Sequence, residues 1–85
     1  MIFTIYGKDK CTYCESAKKV LDIRKMEYTY LQLGEDFTVD EFTKLFPDAR
    51  SFPQITAQVK GLSESNNTVY IGGFDNLMTL LTAGA

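Results

Sequence analysis

The chain has 85 residues, a net charge of −2 and a hydrophobic fraction of 45%, values that fit one small domain with a compact core. This charge gives no general attraction for nucleic acid, and no apolar run is long enough for a membrane span, so we expect neither as a partner. Histidine is absent, which excludes a Ser-His-Asp or Cys-His catalytic group within the chain.

The first predicted strand leads directly into a pair of cysteines. Residues 2–6 are β-branched and aromatic, as is typical of a strand, and the short hinge 7–9 follows. Cys11 and Cys14 are the only cysteines. Residues i and i+3 of a helix lie about 5–6 Å apart, a separation that a disulfide spans with little backbone movement. We therefore interpret the pair as a thiol–disulfide redox site.

Two other interpretations of the cysteine pair stay open. A structural disulfide is one, although a bridge across three residues constrains the unfolded chain little. A metal site shared with another chain is the second, because two cysteines without histidine do not supply the four ligands of a closed zinc site. Four lysines predict a basic patch around the pair: Lys8, Lys10, Lys18 and Lys19.

A helix and a second strand follow the cysteines. Residues 12–26 are good helix formers without Gly or Pro, and the spacing places one apolar face on Cys14, Ala17, Val20 and Leu21. Residues 28–33 read as the second strand, and 34–36 as a turn.

The second predicted helix begins with a capping box. Thr38 and Glu41 have the S/T-x-x-E spacing of a helix start, and Pro47 ends the helix. Its apolar stripe is expected to comprise Val39, Phe42, Leu45 and Phe46.

The remaining predicted elements are two strands and a helix. The strands cover 54–59 and 68–71, with an exposed loop at 61–67 between them and a Gly-Gly turn at 72–73 after them. The last helix covers 75–82 and turns Leu77, Leu80 and Leu81 to the core, and 83–85 fray.

The predicted order β-α-β-α-β-β-α defines an α/β domain. A helix between the first two strands favours a parallel pair with a right-handed crossover, and the short return between the last two favours an antiparallel pair. We expect a mixed four-stranded sheet flanked by helices, with residues 1–85 forming a single domain.

Three motifs, in order and at fitting distances, make the chain resemble a glutaredoxin, most closely the small dithiol type of bacteriophages and bacteria. They are Cys11-Thr12-Tyr13-Cys14 after the first strand, Ser51-Phe52-Pro53 before the third, and Gly72-Gly73-Phe74-Asp75 before the last helix. Thr12 stands where the family usually has proline, and Ser51 and Phe52 replace the usual Thr and Val. The resemblance implies a thioredoxin fold and glutathione-dependent disulfide reduction.

The resemblance also implies a division of roles between the cysteines. Cys11 would be the nucleophile, since a helix N-terminus and nearby lysines favour a thiolate. Cys14, one turn deeper, would be the resolving thiol.

Glutathione would be the reducing co-substrate, with no permanently bound cofactor and no metal. The resemblance assigns the glycine carboxylate of glutathione to Lys8 and Arg50. It assigns the peptide backbone of glutathione to the backbone of Phe52, which precedes a cis Pro53. The remaining implied contacts are Tyr13, Gly73, Phe74 and Asp75. The implied partners are disulfide proteins such as ribonucleotide reductase, and we expect a monomer in the cytoplasm, in the host cytoplasm if the gene belongs to a phage.

Two alternatives of function accompany this interpretation. One is a thioredoxin-like redoxin reduced by thioredoxin reductase. The other is a module that binds an iron–sulfur cluster between two copies of Cys11 and two glutathiones.

Overall fold

The computed structural model describes residues 2–60 and 66–83. Its elements are β1 (Ile2–Gly7), α1 (Thr12–Ile23), β2 (Tyr28–Gln32), α2 (Val39–Leu45), β3 (Gln54–Lys60), β4 (Asn66–Gly72) and α3 (Phe74–Ala83). This is the predicted order, with every element of the predicted type.

The four strands form one mixed sheet in the order β2-β1-β3-β4. β1 pairs parallel with β2 and antiparallel with β3, and β3 pairs antiparallel with β4. The parallel crossover and the antiparallel return confirm the topology predicted from the sequence, and the architecture is a thioredoxin fold.

Helix α1 is shorter than predicted, because it ends at Ile23 and not at 26. Lys25 adopts a positive φ of 57°, and its N–H donates to the Asp22 carbonyl while the Met26 N–H donates to the Leu21 carbonyl at 2.9 Å. This pair of bonds is a Schellman termination. Its left-handed position usually holds Gly, and a lysine there left no signal in the sequence.

The predicted capping box of α2 is confirmed. The Glu41 N–H donates to Thr38 Oγ1 at 3.1 Å, and the Thr38 N–H donates to Glu41 Oε1 at 2.9 Å. The predicted apolar stripe is only half correct, because Val39 and Leu45 are 62% and 56% exposed. The helix has seven residues, and only the row of Phe42 and Phe46 is buried.

The last two strands are longer than the sequence predicted. β3 extends through 60 and β4 begins at 66, so 66 and 67 belong to a strand and not to the expected loop, while 61–65 lie outside the described residues. Backbone pairing extends the hairpin here, since Asn67 pairs with Val59 despite the low strand propensity of asparagine. α3 likewise starts one residue earlier and ends one residue later than predicted.

Two apolar clusters lie on opposite faces of the sheet. The larger packs α1 and α3 on the strands, with buried members Phe3, Ile5, Ala17, Leu21, Ile55, Ala57, Leu77 and Leu81. The smaller packs α2 on the other face through Phe37, Phe42 and Phe46, with Tyr6 and Phe52 partly buried against them. Through Phe52, the second cluster includes one of the predicted site residues.

We expect Leu77→Ala to lower the free energy of unfolding by about 2–5 kcal/mol, because it removes a fully buried side chain and leaves a cavity. The same change at Leu45, which is 56% exposed, should cost less than about 1 kcal/mol. Urea unfolding of both variants checks this, and equal losses at the two positions would contradict the described core.

Candidate active site

The two cysteines lie at the N-terminus of α1 and are joined by a disulfide, with Cα atoms 5.2 Å apart. Cys11 is the N-cap residue, and its Sγ accepts a hydrogen bond from the Cys14 N–H at 3.2 Å. Cys11 is half-buried, whereas Cys14 is completely buried. A large reactant in solution can therefore reach Cys11 but not Cys14.

The loop before the cysteines is held by close packing with β2. A Cβ atom at residue 7 would lie 2.5 Å from the Tyr30 hydroxyl oxygen, so only glycine allows the ring to lie against this backbone. The Tyr30 hydroxyl lies 3.4 Å from the Lys8 carbonyl and donates to Gln32 Oε1 at 2.9 Å. Burial raises the pKa of Tyr30, so its hydroxyl stays protonated as a donor.

An open groove of about 820 Å³ runs beside Cys11. Three of the four predicted patch lysines line it, and so do three carboxylates: Lys8, Lys10, Lys18, Asp9, Glu15 and Glu35. The sequence therefore overstated the positive charge around the cysteines. Lys19 does not line the groove.

On the wall of the groove, Lys18 contacts two neighbours, Glu15 and Tyr30. Its Nζ lies 2.8 Å from Glu15 Oε2 and 4.2 Å from the centroid of the Tyr30 ring. The hydrogen bond to Glu15 is the main reason that the pKa of Lys18 is raised. Its charge is therefore largely balanced within the protein.

The segment before β3 carries Phe52 and Pro53, and the peptide bond between them is cis, as the resemblance implied. Phe52 stacks on Phe42 with ring centroids 4.6 Å apart, and Lys8 Nζ lies 5.6 Å from the centroid of the Phe52 ring. Pro53 is buried. The Lys8 ammonium thus connects the cysteine loop with this segment.

The start of α3 meets both other segments. Tyr13 is 60% exposed and stacks on Phe74, with centroids 5.7 Å apart. A Cβ atom on Gly73 would lie 3.6 Å from the Pro53 carbonyl oxygen, so this backbone lies close to the cis proline. Asp75 is exposed in the first turn of α3.

Side-chain contacts, the Cys11–Cys14 disulfide and chain connections together link eight of the ten predicted site residues. The Tyr13 ring stacks on Phe74, and the neighbouring Gly73 lies against the Pro53 carbonyl. Phe52, which precedes Pro53, contacts the Lys8 ammonium, and Lys8 lies in the loop that leads to Cys11. Arg50 and Asp75 are exposed, and no side-chain contact among the described residues ties either of them to the cysteines.

The sequence reasoning missed the β2 side of the groove. Tyr30, Gln32 and Glu35 line it because the carboxyl ends of the parallel strands β1 and β2 meet at one edge, with Gly7 opposite Gln32. The predicted parallel pair contained this signal, since side chains that follow neighbouring parallel strands share an edge.

Comparison with known proteins identifies the family of this site. The sequence model of the glutaredoxin family matches residues 3–61, and this range includes the cysteine pair, Phe52 and Pro53. The chain belongs to the glutaredoxin family. It is 28% identical to the glutaredoxin of Enterobacteria phage T4 over 90 residues, which cover 89% of this chain and 94% of that protein.

Solved glutaredoxin structures share the fold. The glutaredoxin of Brucella melitensis superposes with a TM-score of 0.70 at 25% identity, over 99% of this chain and 82% of that one. Reduced glutaredoxin of Escherichia coli gives 0.67 at 21% identity, over 99% and 96% of the two chains.

Membership in the glutaredoxin family makes the chain a member of an oxidoreductase family with a C-x-x-C pair. Within the described residues, no group of three or more His, Cys, Asp or Glu side chains is arranged to hold a metal ion. In that same part of the chain, no helix has the length and apolar character that a membrane span requires.

Proposed function

We propose that this glutaredoxin is a glutathione-dependent oxidoreductase that reduces protein disulfides and glutathione mixed disulfides. The observation that carries the proposal is the convergence of three separate segments on the cysteine pair. Tyr13 stacks on Phe74, Gly73 lies against Pro53, and Lys8 faces Phe52. The segment that carries the cysteine pair is thereby in contact with the segment before β3 and with the start of α3.

In the proposed reaction, the Cys11 thiolate attacks a substrate disulfide and forms a mixed disulfide, and one substrate thiol leaves after taking up a proton. Cys14 then loses its proton and attacks Cys11 Sγ, which releases the second thiol. The Cys11–Cys14 disulfide is reduced by two glutathione molecules, which leave as glutathione disulfide. The Cys14 N–H, which points at Cys11 Sγ at 3.2 Å, supports the thiolate form of Cys11.

Glutathione carries two carboxylates and one ammonium group, and the chain offers a partner for each. We assign the glycine carboxylate to Lys8 and Arg50, both exposed cations. We assign the γ-glutamyl carboxylate to the N–H groups of Phe74 and Asp75, neither of which takes part in a hydrogen bond of the described residues. The Asp75 carboxylate would then bind the ammonium group, while the backbone of Phe52 would pair with the tripeptide.

The broader assignments follow the same reasoning. We propose one domain over 1–85, a monomer in the cytoplasm (the host cytoplasm for a phage gene), and no permanently bound cofactor or metal. Disulfides such as that of ribonucleotide reductase are the proposed protein substrates. The exposed aromatic surface of Tyr13 beside the accessible Cys11 supports a protein substrate.

A coupled assay tests the proposal. We expect NADPH oxidation in the presence of glutathione, glutathione reductase and a small glutathione mixed disulfide, and no oxidation with thioredoxin reductase alone. Asp75→Asn should raise the KM for the mixed disulfide by roughly three- to tenfold, because it removes the charge proposed to bind the ammonium group. Asp40→Asn, an exposed aspartate in the first turn of α2, is the matched control and should leave KM unchanged.

Three outcomes would contradict the proposal. Turnover only with thioredoxin reductase would keep the cysteine chemistry and remove the glutathione site. Visible absorption of anaerobically purified protein, without turnover, would favour the cluster-binding alternative. An equal rise in KM for both aspartate variants would show that general charge, and not a site at α3, controls binding.

A further inference from the structure

The side chain of Gln54 is an unexpected buried polar group behind the substrate-facing segment. Only 4% of the residue is exposed, and it is the one polar residue in the buried set of the described chain. Both ends of its amide are nevertheless hydrogen-bonded. Nε2 donates to the Ser51 carbonyl at 2.8 Å, and Oε1 accepts from the Tyr70 hydroxyl.

Tyr70 contacts both ends of the loop that this amide holds. Its ring centroid lies 5.5 Å from that of Phe46, where α2 ends, and its hydroxyl reaches Gln54, where β3 begins. The loop between these two points comprises 47–53 and includes Arg50 and Phe52. A single side chain on β4 is therefore attached to both anchors of this loop.

The strand register explains why these groups meet. Thr56 lies opposite Tyr70, and Gln54 precedes Thr56 by two residues, so Gln54 and Tyr70 share the α2 face of the sheet. A register shift between Ile55 and Thr56 pairs Ile55 with Gly72, and the extra β4 residue is Ile71. The bulge leaves the tyrosine diagonal to Gln54 while Gly72 turns the chain toward α3.

We propose that Gln54 and Tyr70 are positioning residues that fix the loop 47–53 for substrate recognition, acting through the Ser51 carbonyl and Phe46. Neither side chain contacts the cysteines in the described structure, so their effect is on binding and not on sulfur chemistry. The inference rests on the proposed function, since Arg50 and Phe52 are glutathione contacts only there.

Removal of the amide should weaken binding without changing the nucleophile. Gln54→Met keeps the length of the side chain and deletes both hydrogen bonds, so we expect the KM for a glutathione mixed disulfide to rise about five- to tenfold with kcat within about twofold. Tyr70→Phe should act in the same direction with a smaller rise. The rate of Cys11 alkylation by iodoacetamide in the reduced protein should stay at the wild-type value in both variants.

Tyr6→Phe is the matched control. Tyr6 pairs with Gln54 across β1 and β3, and it lines a cavity on the α2 face of the sheet together with Phe46 and Tyr70. None of the hydrogen bonds among residues 2–60 and 66–83 uses the Tyr6 hydroxyl. Tyr6→Phe removes a tyrosine hydroxyl oxygen, as Tyr70→Phe does. It should change neither the KM for the mixed disulfide nor the hydrogen exchange of the loop 47–53.

A second readout tests the loop independently of glutathione. Within this loop the Ala49 N–H donates to the Phe46 carbonyl at 3.1 Å. Its hydrogen exchange should accelerate about tenfold or more in Gln54→Met and not in Tyr6→Phe, since the loop loses its anchor at the Ser51 carbonyl. Unchanged exchange and unchanged KM would overturn the inference, as would an equal KM rise in the control. If wild type shows no turnover with glutathione, the proposed function fails, and the exchange rate of the Ala49 amide in Gln54→Met still decides whether Gln54 and Tyr70 hold the loop.

Discussion

Cys11→Ser should reduce disulfide turnover by at least about 100-fold, to the rate of the uncatalysed exchange between glutathione and substrate. A serine hydroxyl is not ionised at neutral pH and cannot form the mixed disulfide. Cys14 does not substitute for it, because it is fully buried and no large disulfide in solution reaches its sulfur. NADPH oxidation in the coupled glutathione assay measures the loss.

Folding of this variant must be checked in the same experiment. Cys11 is a half-buried N-cap residue, and serine is itself a favoured N-cap, so α1 should keep its start and the melting temperature of the reduced protein should stay close to wild type. Residual turnover above about a tenth of the wild-type rate would show that Cys11 is not the only nucleophile.

Cys14→Ser should separate two activities. Reduction of protein disulfides should fall by at least about tenfold, since no second thiol resolves the mixed disulfide on Cys11. Release of glutathione from a small mixed disulfide should stay within about threefold, because external glutathione reaches the half-buried Cys11 directly. Mass spectrometry of the variant with a protein disulfide should trap one covalent adduct per chain.

A second variant, Cys14→Ala, distinguishes loss of the thiol from misfolding of the protein. Serine places a hydroxyl at a fully buried position, which costs about 1–3 kcal/mol if it finds no partner, whereas Cys14→Ala buries no polar atom. The two variants should show the same separation of activities. Loss of both activities in Cys14→Ala, with a folded protein, would contradict the division of roles between the cysteines.

Local signals in the sequence were sufficient for most of the fold. The Thr38–Glu41 capping box defines the start of α2 through two reciprocal bonds that need only four consecutive residues. The strand before the cysteines was likewise evident from its β-branched and aromatic residues, and the apolar positions Ala17 and Leu21 of α1 from their helical spacing. Such features depend on residues that are close together along the chain, so they can be predicted from a single sequence.

Where the prediction was wrong, the cause was a conformation or pairing without a residue signature. Lys25 takes the left-handed position that ends α1, a role normally marked by Gly or Asn. Asn67 lies in a strand because Val59 pairs with it, against its own propensity. Val39 and Leu45 are apolar and yet exposed, since a seven-residue helix has too little surface facing the sheet to bury both.

The candidate site shows the same division. The three motifs pointed to the cysteines, to Phe52–Pro53 and to the start of α3, and the family comparison agrees with the resemblance they carry. The balanced charge of the groove and the packing of Tyr30 on Gly7 were not visible in those motifs. They arise where β1 and β2 end side by side, more than twenty residues apart in the chain.

The sequence by itself determined the order of elements and the mixed sheet, because hydrophobic periodicity and caps are written in consecutive residues. Its three short motifs carried the family resemblance, and that resemblance implied the thioredoxin fold. Only the tertiary structure decided how Glu15 pairs with Lys18, how Tyr30 packs on Gly7, and how Tyr70 and Gln54 hold the loop around Arg50. Those properties depend on burial and on distances of a few ångströms between segments far apart in the chain. Strand register and helix packing set these distances, and neither is specified by local sequence alone.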